Sequence, residues 1–481
     1  MPDPLTEAPG AVGSRAAAPG LGALVGRVRA VLDAGLFPPA RPRRWPPAAV
    51  AAGYLTAFVG GSVLLATWMP HLAGHVWAED GGLFLAQAKT HTFAWTLLHP
   101  YANYMHAVPR LITAVIVHLP LSQASRGFVV ASAVVRAALA LFVFRASAGH
   151  LRSVFARGLI AAAFVALPLA SQETLDNVAN LHWFFIAAAF WALLWRPRSA
   201  WEIGLATAVV VLSVDSDPLS IILLPLVVLR LFALPRWRDR AVAIGFIAAG
   251  VVQAAVTLHT RIRSMADQPP DALFALRMFG ARVWVGMFGG VHNTTRWYGH
   301  WHWTAIVVFG LLLVALISPA FVSGAPRAWV AGTAVVLGCC LFLFTTRYAD
   351  APLLNTLGPF LSQGGRYSVV PALLLWYAVA AGLDGVISRS VRSLPLLAGR
   401  LAVVAALVWS VVADHGTSIA GRTSGPSWQQ ALRDGSAACA TTRQPTVLVA
   451  ISPPGWAVKL PCSQLGPRQR AADAEAQGHT Q

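Results

Sequence analysis

Charge is scarce in this chain: of 481 residues, 11% are charged and 56% hydrophobic. A soluble domain carries about 25% charged residues, so the shortfall excludes a protein with a fully solvated surface. Lysine is nearly absent, represented by Lys89 and Lys459, and 19 acids stand against 36 basic side chains. Four cysteines are too few for a disulfide scaffold. Also missing are a Walker lysine loop, a dinucleotide glycine fingerprint in strand-to-helix context, H-E-x-x-H and C-x-x-C. Those absences argue against chemistry driven by a cytosolic nucleotide. No heptad array or solenoid period occurs. No cleavable signal is expected, because the first 45 residues are a polar tail rich in Arg, Pro, Ala and Gly.

What is present is apolar and arranged in runs. Stretches of roughly 17 to 25 apolar residues can each cross a bilayer core of about 30 Å as a helix, and the mean hydropathy is +0.61. The expected fold class is therefore an all-α polytopic membrane protein. The formal net charge of +17 does not mark a nucleic-acid binder, since the arginines sit at the ends of apolar runs rather than on one polar domain. The expected surroundings are membrane lipids.

The first run, PPAAVAAGYLTAFVGGSVLLATWM, follows Arg15, Arg27, Arg29, Arg41, Arg43 and Arg44. Positive charge stays inside, which predicts a disordered cytoplasmic tail over 1–45, a transmembrane domain over 46–412 and a first outer loop over 70–107. The short piece PRLITAVIVHLPL is predicted to lie on or re-enter the outer face, and GFVVASAVVRAALALFVF to span. Continuing the alternation puts spans near 158–170, 178–195, 203–214, 218–234, 241–258, 303–319, 329–345, 367–387 and 396–412. That is about eleven spans (ten to thirteen), with a long outer loop over 259–302 and the C-terminus outside. From 413 to 465 the composition changes to that of a small extracytoplasmic domain, with one strand, TVLVAIS, and a Pro-Gly turn. Cys439 and Cys462 flank it, and on an oxidising outer face they are expected to pair. Residues 466–481 read as disordered.

Acids and polar residues gather at the outer ends of these spans. Glu79 and Asp80 lie side by side in the first outer loop, where one carboxylate would serve as general base on an acceptor hydroxyl. The competing reading is a helix N-terminus, where acids suit the dipole. SQETLDNVANLHWFF offers Glu173, Asn177, Asn180 and His182 as sugar-hydroxyl partners beside Trp183; capping plus an interfacial aromatic is the plainer account. SQGGRYSVVPALLLW sets Arg366 and Tyr367 at the outer mouth of a span, where an arginine can grip a phosphate bidentately or simply snorkel. His300-Trp301-His302 forms a weak metal candidate or an interfacial anchor. Asp215 and Asp217 suit a cation or a capped helix break.

WAEDG, PYANYMHAVPRL, ETLDNVANLHW, GRYSVVPALLLW and PPGWAVKLP together resemble a bacterial group within the GT-C superfamily of membrane glycosyltransferases. The resemblance implies a GT-C-like fold with amphipathic helices in the outer loops and a plasma-membrane location. It also implies inverting transfer of a sugar from a polyprenyl-phosphate donor to a cell-envelope glycan, lipid or protein acceptor. In that reading Asp80, with Glu79 beside it, is the acid/base. Arg366, Tyr367, Arg296 and Arg110 would hold the donor phosphate, and Glu173, Asn177, Asn180, His182, Trp183, Tyr101, Tyr104 and His106 the acceptor or sugar. No particular cofactor is implied, and a divalent metal, Mg or Mn, stays open. Two alternatives stay open: a flippase of lipid-linked glycan with Arg136 and Arg230 along its path, and an O-antigen-ligase or polymerase-like enzyme using Arg296 and His302.

Overall fold

The computed structural model describes residues 21–39, 46–68, 70–170, 174–258, 272–348, 364–387 and 423–465, with isolated helical positions between 399 and 412. The rest of the predicted span 396–412, both chain ends and Glu173 lie outside the described residues.

Helix α1 (Leu21–Leu36) precedes α2 (Pro47–Trp68). The first loop then holds a π-helical turn at Asp80–Leu85, the short helices α3 (Ala86–Thr90) and α4 (Phe93–Leu98), and α5 (Ala107–Ile116). Next come α6 (Ala124–Ala146), α7 (Val154–Ala166), α8 (Leu181–Leu194), α9 (Ala200–Val214), α10 (Leu224–Ala233) and α11 (Trp237–Leu258). The second half holds α12 (Ala272–Phe279), α13 (Gly286–Trp301), α14 (Trp303–Ile317), α15 (Pro319–Val322), α16 (Ala325–Tyr348), α17 (Val369–Ile387) and α18 (Trp428–Thr441). Strands β1 (Thr446–Ile451) and β2 (Trp456–Pro461) close the described chain as an antiparallel hairpin.

Among the described residues, 7 helical stretches are long and apolar enough to cross a membrane; α5, α7, α8, α9 and the stretch Pro218–Ala233 that includes α10 are apolar but shorter. The architecture fits an all-α polytopic membrane protein. Helix α8 is buried along its whole length and α17 along most of it; both are apolar on every face, which is the pattern of a bundle centre. The Tyr377 hydroxyl on α17 donates to Ala187 O on α8 at 3.1 Å. Helix α2 buries only Leu65, as a helix at the lipid-facing periphery does.

The structure corrects three expectations. Residues 21–36, read as part of a disordered tail, form α1, whose Leu32 and Leu36 are buried while Leu24, Val28 and Val31 are exposed; arginines inside the segment masked its amphipathic period. Residues 272–301, read as part of a long outer loop, are helix. Gly290 takes φ 62°, ψ −165° there, so the helical stretch carries a kink. The tail domain has two strands rather than one, because WAVKLP alternates correctly against β1.

Ion pairs gather at the bundle end opposite the first loop. Arg145 meets Glu202 at 2.7 Å, Arg196 meets Asp33 at 2.9 Å, and Arg327 meets Asp384 at 2.6 Å. Two further arginines cap helix C-termini, where carbonyls lack partners. Arg136 Nη2 donates to Phe164 O at 2.9 Å and Val165 O at 3.3 Å at the end of α7, with its guanidinium 4.4 Å from the Phe184 ring centre. Arg230 donates to Leu193 O and Trp195 O at the end of α8. Arg136→Met is expected to lower stability by about 2 kcal/mol or more, since it strands buried acceptors, measured as unfolding of the detergent-solubilised protein.

Candidate active site

Asp80 is only 1% exposed. Its Oδ1 accepts the Ala179 amide at 2.9 Å and its Oδ2 the Val178 amide at 3.1 Å. A carboxylate receiving two backbone N–H groups is held in one orientation, and here it ties the first loop to the turn that starts α8. Glu79, one residue earlier, is half-buried and has no hydrogen-bond or ion-pair partner among the described residues. The preceding residue, Ala78, has φ 22°, a conformation that L-residues other than glycine rarely adopt and that persists only when the surroundings impose it.

The surroundings that impose it are the C-terminal hairpin. Ala78 N donates to Ser452 O at 2.6 Å and Ser452 N to Val76 O at 3.2 Å, so the end of β1 runs beside the acid-bearing turn. A Cβ on Gly82 would lie 2.8 Å from Trp456 Cε3 and 3.1 Å from Ala457 O; only glycine permits this approach. Trp428 Nε1 donates to Leu121 O at 2.7 Å, fixing α18 to the membrane domain. The Cys439–Cys462 disulfide is formed, with Cα atoms 5.5 Å apart, and links the end of α18 to the end of β2. The tail domain is thus a strap over the first loop.

Tyr101 and Tyr104 exchange backbone hydrogen bonds around a two-residue turn, with Ala102 at φ 50° and Asn103 at φ 72°. The left-handed turn, natural for Asn, delivers both rings to His106, at 5.4 and 4.2 Å between centroids. The His106 ring is also 6.4 Å from that of His182. Burial, then His182 and Arg110, holds His106 well below 6.5, against a hydrogen bond to Tyr101 O. This keeps it neutral, with Nδ1 buried and unpartnered. Burial, then Asp217, Tyr367 and Glu79, holds the Tyr104 phenol well above 10, with Arg366 opposing. Glu79, Asp217, Arg366 and Tyr367 thus all act electrostatically on one phenol.

Helix α5 enters this cluster through its N-terminus, whose free amides are taken by the α9–α10 break: Ala107 N donates to Asp215 O at 3.1 Å and Val108 N to Ser216 Oγ at 2.9 Å. Asp217 Oδ2 lies 3.3 Å from His182 Nε2, and its Oδ1 accepts Leu219 N at 2.8 Å. Burial pushes the Asp217 carboxyl up from 3.8 to about 7. The fold favours its protonated form, so its stabilisation is full below about 3.8 and is lost as pH rises through about 7. Wild-type melting temperature is expected to fall across that window, and that of Asp217→Asn to change less; identical profiles would refute the assignment.

The structure brings together Glu79, Asp80, Tyr101, Tyr104, His106, Arg110, Asn180, His182, Trp183, Arg366 and Tyr367. Asn177 and Asn180 serve local structure first: Asn177 Oδ1 accepts Asn180 N, and Asn180 Oδ1 accepts Trp183 Nε1 at 3.2 Å. Trp183 in turn meets Tyr367 edge-on at 5.3 Å. Arg296, His300 and His302 are exposed at the far end of α13 and bond none of these groups. Among the described residues no group of three His, Cys, Asp or Glu is placed to hold a metal ion. Sequence reasoning passed over Gln253, whose Oε1 accepts Met105 N at 3.1 Å, and Ser452. A glutamine inside the otherwise apolar α11 was the available signal for the first; a local reading of the tail held none for the second.

No protein-family model, curated protein or solved structure matches this chain. The site therefore rests on its own geometry.

Proposed function

We propose that the protein is an inverting glycosyltransferase of GT-C type. It would move a sugar from a polyprenyl-phosphate donor to a cell-envelope glycan, lipid or protein acceptor on the outer face of a bacterial plasma membrane. The observation that carries the reading is an unpartnered carboxylate, Glu79, next to the amide-tied Asp80, at the end of an apolar bundle where the Tyr104, His106, His182, Trp183 and Tyr367 rings form a contact chain that ends under the Arg366 guanidinium. The ion-paired arginines at the opposite end favour a cytoplasmic placement for that end, and the disulfide suits an oxidising outer compartment.

The two acids divide the work. Asp80, both of whose oxygens receive amide hydrogens, positions the turn. Glu79 takes the acceptor hydroxyl proton as the acceptor oxygen attacks the anomeric carbon. The bond from that carbon to the phosphate oxygen breaks on the opposite face, inverting the centre, and the phosphate leaves with charge received by Arg366 and the Tyr367 hydroxyl. This assigns the base to Glu79, where the resemblance alone would choose Asp80. Arg136 and Arg230, which the flippase reading would set along its path, are instead engaged by helix carbonyls.

The test is a panel of polyprenyl-phosphate sugars offered to protein in nanodiscs. Release of polyprenyl phosphate by wild type and not by Glu79→Gln supports the reading. No turnover on any donor, with equal lipid binding by both proteins, favours a transporter.

A further inference from the structure

Arg110 is 3% exposed and sits in the first turn of α5. Its Nη1 donates to Gln87 Oε1 at 2.8 Å, while Nε and Nη2 are buried without partners. No carboxylate among the described residues pairs with it. Its guanidinium lies 5.5 Å from the Phe84 ring centre, and it acts on both His99 and His106. A buried cation without a counter-ion is costly, and the positive end of a helix dipole adds to the cost. Three other buried arginines have an acid or carbonyls to hold them, Arg327 by Asp384 and Arg136 and Arg230 by helix carbonyls, and each leaves one buried nitrogen unpartnered where Arg110 leaves two. Arg110 has only a neutral amide, and two unpartnered N–H groups of a planar fork are what a phosphoryl or carboxylate group takes.

We propose that Arg110, held by Gln87 and backed by Phe84, is a second anion subsite, separate from Arg366, for a phosphoryl or carboxylate group of the substrate. The assignment to a substrate rests on the glycosyltransferase reading; the anion site itself does not. Arg110 acts on His106 and Arg366 on Tyr104, whose rings are 4.2 Å apart. Both cations therefore act on one pair of touching rings. A donor with two phosphoryl groups, or an acidic acceptor beside a monophosphate donor, matches that charge pattern.

The deciding variant is Gln87→Glu. It places a carboxylate where an amide oxygen already meets Arg110, so it neutralises the cation without opening a cavity and is expected to fold. Inorganic pyrophosphate is the probe, read as a shift in thermal unfolding of the whole protein in detergent. The wild type is expected to be stabilised, Gln87→Glu to lose the shift and Arg110→Lys to retain part of it. In turnover, Gln87→Glu should raise KM by about 10-fold or more for the substrate bearing the second anion. A rise confined to diphosphate-linked donors assigns the subsite to the donor, and one confined to uronic-acid acceptors assigns it to the acceptor. A full pyrophosphate shift in Gln87→Glu, with KM unchanged for every anionic substrate, overturns the proposal. A lost shift in a protein that turns over no donor would sink the glycosyltransferase reading and leave the anion subsite standing.

Discussion

Glu79→Gln is expected to lower turnover by about 10²–10⁴-fold, the usual contribution of a general base, while leaving the melting temperature within about 1 °C of wild type. The side chain has no partner to lose, so neutralising it removes chemistry and little else. Asp80→Asn should behave differently. The amide that replaces one oxygen faces the Val178 or Ala179 N–H, donor against donor, in a site 1% exposed. An unsatisfied buried donor costs about 1–3 kcal/mol, so this variant should lose stability and activity together. Turnover and thermal unfolding measured on both variants separate the roles. An Asp80→Asn protein that is stable and dead beside an active Glu79→Gln would return the base to Asp80.

Gly82→Val should be the most damaging change away from the acids. Its new side chain would enter the space of the Trp456 ring and the Ala457 carbonyl, and the carbonyl belongs to backbone that cannot swing aside. Overpacking of this kind costs about 1–3 kcal/mol. The displaced hairpin would also release Ser452 from Val76 and Ala78, and with them the orientation of Glu79. A shift of about 1 Å at a reacting group can cost about 100-fold in rate. Gly74→Ala, at a position with no atom within 4 Å of a new Cβ, is the control and should match wild type. If Gly82→Val retains full activity, the hairpin is an appendage and not a strap.

Parts of this were legible from local chemistry. An unbroken apolar run such as Pro47–Trp68 has few ways to satisfy its backbone in lipid other than as a helix, so the predicted bounds of α2 and α9 lie within a few residues of those observed. Pairing of Cys439 with Cys462 was legible because both flank one compact polar segment. The stretch 272–301 was not. Its Arg, His, Asn and Gly content resembles a loop one residue at a time, and it becomes helix because Met278, Val283, Val285 and Met287 find apolar neighbours across the bundle.

The two acids mark the same boundary. Sequence placed Glu79 and Asp80 in one outer loop and marked them as unusual, since adjacent carboxylates repel and resist desolvation. It could not distinguish them, because they differ only in which amides lie opposite, and those amides come from residues 178 and 179. The same holds for the tail, whose hairpin could be read from its turn residues while its contact with Val76, Ala78 and Gly82 could not. The sequence by itself determined the class of molecule, the spans whose chemistry is local and the list of polar residues at one face. Only the tertiary structure decided which carboxylate is tied, which arginines are occupied and what braces the turn, because each depends on groups far apart in the chain.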